Sequence, residues 1–134
     1  MAQQIPLFQT PSEWTPPEKV PNLSEAKEIA VDLETYDPSL KKHGSGAIRG
    51  EGFVCGIAIA TNKQTLYFPI AHAMTDNLDP TTTWKYLNEK LFQNENIAKV
   101  FHNAMYDVCW IRAVTGKKMK GRIVDTMIAG SVID

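Results

Sequence analysis

Only two cysteines occur in the 134 residues, Cys55 and Cys109, and no C-x-x-C spacing joins them. That scarcity excludes a disulfide-stapled scaffold and a cysteine-rich zinc site. It leaves two free thiols in apolar runs, the usage expected of a reducing compartment. No stretch approaches the roughly eighteen consecutive apolar residues that a membrane helix needs. The N-terminus, Met-Ala-Gln-Gln-Ile-Pro-Leu-Phe, also lacks the basic region and long apolar core of a signal peptide. Cytoplasmic residence without membrane contact is the expectation. Charge of one sign is lacking too: 14 basic against 15 acidic side chains give a formal net charge of -1, so no global field draws the chain to nucleic acid. Neither internal repeats nor low-complexity tracts are present, which excludes a solenoid.

What remains is an ordinary soluble composition, 43% hydrophobic and 22% charged, in a length that suits one domain. Five of the eight prolines fall in residues 1–22, which therefore read as an extended leader whose Leu7, Phe8 and Trp14 can dock on the domain formed by residues 23–134. Two local basic clusters, Lys41, Lys42, His43 and Arg49 in one loop and Lys117, Lys118, Lys120 and Arg122 in another, read first as solvated surface.

Along the domain, residues 28–34 alternate. Ile29, Val31 and Leu33 share one face of a strand and Ala30, Asp32 and Glu34 the other. A Gly-rich loop at 44–52 leads to Phe53-Val-Cys-Gly-Ile-Ala-Ile-Ala60, a continuous apolar strand. Residues 65–70 read as its hairpin partner, on an edge because Pro69 cannot donate to a ladder. Asp79-Pro80 opens a helix on which Trp84, Leu87 and Leu91 recur at helical spacing. Residues 98–102 form a fourth strand, and Asn103 caps a helix that runs to about Thr115 and ends at Gly116. Asn103, Asp107, Trp110, Ile111 and Val114 share one of its faces. Ile123 and Val124 form a fifth strand, and Asp125 caps a last helix.

Three carboxylates stand out in this frame. Asp32, Glu34 and Asp107 sit in apolar segments, where an unpaired charge costs several kcal/mol, and a divalent cation held by oxygen ligands is the cheapest general remedy. The residues therefore point to a metal-dependent enzyme acting on phosphate esters. Taken singly, each motif is weak, since an Asp-x-Glu arises readily by chance and an acid suits the first turn of any helix. His72 and His102 read as structural histidines.

The order βββαβαβ is that of the ribonuclease H-like fold, an α/β architecture with a mixed five-stranded sheet and flanking helices. Ala30-Val-Asp-Leu-Glu-Thr35 resembles the first motif, Asp-x-Glu, of the DEDD 3′–5′ exonucleases, and His102-Asn-Ala-Met-Tyr-Asp107 resembles their second, Asn-x-x-x-Asp. Val124-Asp-Thr-Met127 and Tyr67-Phe-Pro-Ile-Ala-His72 resemble the proofreading domains of family A DNA polymerases. The Pro-rich leader and the loop Asp37-Pro-Ser-Leu-Lys-Lys look most like the phage type.

The resemblance implies two divalent metal ions, Mg²⁺ or Mn²⁺. Asp32 would bridge both, Glu34 would bind the one beside the attacking water, and Asp107 would support the second. It further implies Thr35, Leu40 and Asn103 as substrate-binding residues and the 3′ end of single-stranded DNA as partner. A polymerase domain downstream is expected, with residence in the host cytoplasm if the protein is phage-encoded. The family's third motif, Tyr-x-x-x-Asp or His-x-x-x-Asp, is expected beyond residue 134. These residues therefore read as a C-terminally truncated exonuclease domain, weakly active or inactive alone. An RNase D-like stand-alone exonuclease and a non-catalytic module that binds nucleic acid or a protein partner are the alternatives.

Overall fold

The computed structural model describes residues 15–17 and 19–133, so Leu7, Phe8, Trp14 and Asp134 lie outside the described residues. Alternation does make residues 28–36 a strand, β1 (Glu28–Tyr36), with Ile29, Val31 and Leu33 buried and Ala30, Asp32 and Glu34 exposed. β2 (Phe53–Ala60) and β3 (Thr65–Pro69) follow as an antiparallel pair, and β4 (Ala98–Phe101) and β5 (Ile123–Asp125) join in parallel on the other side. The sheet order is β3-β2-β1-β4-β5, which puts Pro69 on an edge strand as its missing N–H requires. β1 thus sits at the centre, antiparallel to β2 and parallel to β4.

One face of the sheet carries the core. Ile29, Val31, Ile57, Ile59, Phe68 and Phe101 pack with Leu87, Leu91, Phe92, Trp110 and Ile111 from the helices, and each such burial contributes roughly 1.5–3 kcal/mol. α3 (Pro80–Leu87) starts as expected, with the Asp79 carboxylate accepting from Thr82 N at 2.7 Å and proline in its first turn. It continues as a π-helical turn, Asn88–Phe92, that buries Leu91 and Phe92. α4 (Ala104–Thr115) ends at Gly116, whose φ of 68° is left-handed. The opposite face of the sheet carries small and acidic residues: register pairs Ala30 with Ala60, Asp32 with Ala58 and Glu34 with Gly56.

Three features differ from the sequence reading. The loop after β1 contains two single-turn helices, α1 (Leu40–His43) and α2 (Gly46–Arg49), because Ser45 caps the second by accepting from Ala47 N and Gly44 and Gly50 end the turns with positive φ. Val114 is 44% exposed: at about 1.5 Å per residue α4 is longer than the four-residue β4 it covers, so its last turn runs past the sheet. Lys99, a charge in a strand, is fully buried. Its ammonium donates to the carbonyls of Asn94 (2.5 Å) and Lys120 (2.7 Å), tying β4 to the chain on either side of it. Desolvation lowers its pKa.

Candidate active site

The site forms where β1 outruns its parallel neighbour. Pairing with β4 covers only Glu28 to Ala30, so from Val31 onward one side of β1 is open. The chain leaving β4 turns there through Asn103, at φ 66°, into the first turn of α4. That turn carries Asp107 inward until it is only 4% exposed, beside Asp32 and the Leu33 backbone. Burial first, and then the charge of Asp32, push the Asp107 carboxyl up to about 6. A backbone hydrogen bond with Leu33 works in the opposite direction, and Asp125 adds a weaker upward push.

Asp125 organises this corner. Asn103 occupies the N-cap position of α4 but makes no side-chain cap, so the capping expected of it falls to another residue. A left-handed backbone turns the Asn103 and Ala104 N–H groups toward the end of β5, where the Asp125 carboxylate accepts both, at 3.0 and 2.9 Å. The same carboxylate accepts from Met127 N at 3.0 Å and so caps α5 (Thr126–Ile133), as the sequence reading expected. Burial opposes its charge, but the N–H groups of Ala104, Asn103, Met127 and Ile128 together outweigh that and hold its carboxyl below the usual range.

A second set of bonds ties the two acid-bearing segments together. Thr35, next to Glu34, is 2.8 Å from the hydroxyl of Tyr106, next to Asp107. The Tyr106 hydroxyl also donates to Asp37 Oδ2 at 3.1 Å, and that oxygen accepts from Gly46 N at 2.9 Å. Arg49 lies 3.9 Å from the other oxygen and donates to the carbonyls of His43 (2.7 Å) and Gly44 (2.6 Å). Residues 37–50, with Leu40, Lys41 and Lys42 at the surface, are thus fixed to the end of β1.

Of the expected metal ligands, Asp32 and Asp107 are brought together. Glu34 lies on the same face as Asp32 but one register step from the pair, opposite Gly56, where its charge raises the pKa values of Tyr67 and Cys55 as a secondary cause after burial. Gly56 is needed there, since a Cβ would collide with the Tyr67 hydroxyl, itself 2.5 Å from His72 Nε2. Among the described residues no group of three or more His, Cys, Asp or Glu side chains is gathered to hold a metal ion. The donor set nevertheless fits a hard divalent cation: two carboxylates, one buried, whose mutual repulsion such an ion would relieve. Of the expected substrate-binding residues, Thr35 lies near the end of β1, Leu40 opens α1 and Asn103 occupies the N-cap position of α4. Asp37 and Tyr106 were missed as contributors. Tyr106 had a signal, its place beside Asp107; Asp37 had none, because its partners are distant in sequence. Cys55 and Cys109 are free thiols, and among the described residues no helix is long and apolar enough to cross a membrane.

Residues 15–134 match the sequence model of a family described as 3′–5′ exonuclease. The chain is 37% identical over 103 residues to a DNA-directed DNA polymerase of Pseudomonas phage M6, covering 73% of this chain and 14% of the polymerase. It is 32% identical over 112 residues to the exosome complex exonuclease RRP6 of Saccharomyces cerevisiae, covering 84% of this chain and 13% of that protein. It therefore spans about one-seventh of the length of either relative. Among solved structures, Brucella melitensis NrnC with bound Mg²⁺ superposes with a TM-score of 0.57 at 21% identity, over 84% of this chain and 49% of that one. This likeness shows the fold alone, the ribonuclease H-like arrangement.

Proposed function

The chain belongs to the 3′–5′ exonuclease family, and from that premise we propose that the corner between β1 and α4 takes part in hydrolysing the 3′-terminal phosphodiester of DNA, releasing 5′-mononucleotides. The observation that carries this reading is the juxtaposition of Asp32 with the buried Asp107 at the open end of β1. Two Mg²⁺ or Mn²⁺ ions, when bound, would supply the positive charge that activates water and neutralises the phosphate oxygens. Asp32 would hold both ions, Glu34 the one beside the water and Asp107 the second. Thr35, Leu40 and Asn103 would contact the terminal nucleotide, Leu40 as an apolar surface against the base. Asp125 sets the start of α4 and of α5.

The phage polymerase relative supports a proofreading role for a parent protein with a polymerase domain downstream. No Tyr-x-x-x-Asp or His-x-x-x-Asp follows β5 within these residues, so the 134 residues by themselves should be weakly active, because groups that act as a unit fail together. The exosome complex exonuclease relative supports a second reading, an RNase D-like stand-alone exonuclease, for which RNA is the substrate to test. Digestion of 5′-labelled DNA and RNA oligonucleotides separates the two. The expected result is stepwise, Mn²⁺-dependent shortening of single-stranded DNA from its 3′ end, slow with these residues, several orders of magnitude faster with a longer parent chain, and abolished by Asp32→Ala. Faster shortening of RNA favours the second reading, and no shortening by any length of chain contradicts both.

A further inference from the structure

Tyr67 stands on the acidic face of the sheet. Register pairs it with Ala58 and Ala58 with Asp32, and its ring lies across β2, where Gly56 and Ala58 leave room. A Cβ on Gly56 would lie 2.1 Å from the Tyr67 phenol oxygen. That oxygen therefore occupies the place of a side chain at position 56, directly across from Glu34. Side chains opposed in this way in an antiparallel pair have Cβ atoms about 4.5–5.5 Å apart. Glu34 is exposed, so turning its side chain brings the carboxylate within hydrogen-bond reach of the phenol.

The phenol is held from its other side. It lies 2.5 Å from His72 Nε2, and His72 is fixed in turn. Its N–H donates to Asn77 Oδ1 at 2.8 Å and its carbonyl accepts from Asn77 Nδ2 at 2.9 Å, while the N–H groups of Ile70 and Ala71 before it both donate to the Cys55 carbonyl. Two proton arrangements satisfy the Tyr67–His72 bond. Were Tyr67 the donor, its oxygen would turn lone pairs toward the Glu34 carboxylate, acceptor against acceptor. With a proton on His72 Nε2, the imidazole donates and the phenol proton points to the carboxylate. The charge of Glu34 favours the second arrangement. Burial first, and then that charge, raise the Tyr67 pKa, so the phenol keeps its proton to donate.

We propose that Tyr67, anchored by His72, is a positioning residue that donates a hydrogen bond to Glu34 and holds that carboxylate ready for a divalent cation. This rests on the nuclease reading and adds a support to the site that reading describes. A ligand carboxylate that is itself hydrogen-bonded is oriented before the ion arrives, and loss of such a support typically costs about 10–100-fold in metal affinity. The small residues of β2 on this face have the same explanation: a larger side chain at position 56 would push the phenol away from Glu34.

The test is a double-mutant cycle on Mn²⁺ affinity, measured by calorimetric titration of the metal-free chain. Tyr67→Phe, which keeps the ring and removes the hydroxyl, should weaken Mn²⁺ binding by about tenfold, and Glu34→Gln should weaken it at least as much. The two together should weaken it by less than about twofold more than Glu34→Gln alone, because Tyr67 acts only through that carboxylate. Gly56→Ala, whose methyl displaces the phenol, should reproduce the loss seen in Tyr67→Phe, and melting curves check that each variant is folded. Unchanged affinity in folded Tyr67→Phe, or a loss that persists in full in the Glu34→Gln background, overturns the inference and leaves the nuclease reading intact. No loss in Glu34→Gln, or no Mn²⁺ binding by the unmutated chain, overturns the inference together with the metal-holding role given to Glu34.

Discussion

Asp107 answers two demands that pull apart: it is buried, yet the metal-holding role proposed for it requires ionisation. Its carboxyl, pushed up to about 6 by burial and by Asp32, keeps a proton in the folded state that the unfolded chain releases near pH 4. The folded state therefore binds more protons between those values. Its contribution to stability is complete below about pH 4 and is lost as pH rises through 6. In EDTA, the melting temperature should fall from pH 4.5 to 7 by the equivalent of about 2 kcal/mol relative to Asp107→Asn, whose profile lacks this titration; parallel profiles would refute the assignment. Asp125 makes a contrasting case, since it bonds the start of α4 and the start of α5 at once. Asp125→Ala should lower the melting temperature by about 4–8 °C, as expected when a helix cap is lost from a small domain. A variant that melts with the unmutated chain would show the double cap to be inert. The sequence showed Asp32, Glu34 and Asp107 because charges in apolar runs are conspicuous. It showed only half of Asp125's role and nothing of Asp37 or the buried Lys99, whose partners are set by tertiary contacts that no local pattern records.

Among the elements, the strands and the two long helices were legible, because alternation, the Asp79-Pro80 start and the Gly116 stop are local signals. The segment between β1 and β2 was less so. Its glycines suggested a plain loop, whereas two single turns are folded against Asp37 and Arg49. Gly46 shows how tightly: a Cβ there would collide with the Glu51 carbonyl and come within 2.8 Å of Asp37 Oδ1. Gly46→Ala should destabilise the chain by about 1–3 kcal/mol, the usual cost of overpacking, measured by chemical denaturation. Faster proteolysis between residues 40 and 52 should accompany it. Gly50→Ala, where open space surrounds the added methyl but φ is 71°, should cost less, through backbone strain alone, about 1 kcal/mol. Equal costs at the two positions would mean that the clamp on Asp37 is not what holds this segment.

At the scale of the whole molecule, the sheet order brings the open end of β1 against the start of α4, so residues far apart in sequence share one corner. This topology was legible because three strands in hairpin succession followed by two crossovers admit few arrangements. The spacing of the acids within the corner was not: it depends on how far β1 runs past β4, a difference of a few residues that no motif specifies. The central claim is that Asp32 and Asp107 form the heart of a divalent-cation site, and calorimetric titration of the metal-free chain with Mn²⁺ tests it most directly. Saturable binding is predicted, weakened by at least about tenfold in Asp32→Asn and in Asp107→Asn because each removes a charged oxygen ligand. Equal Mn²⁺ affinity in the unmutated chain and both variants would contradict it.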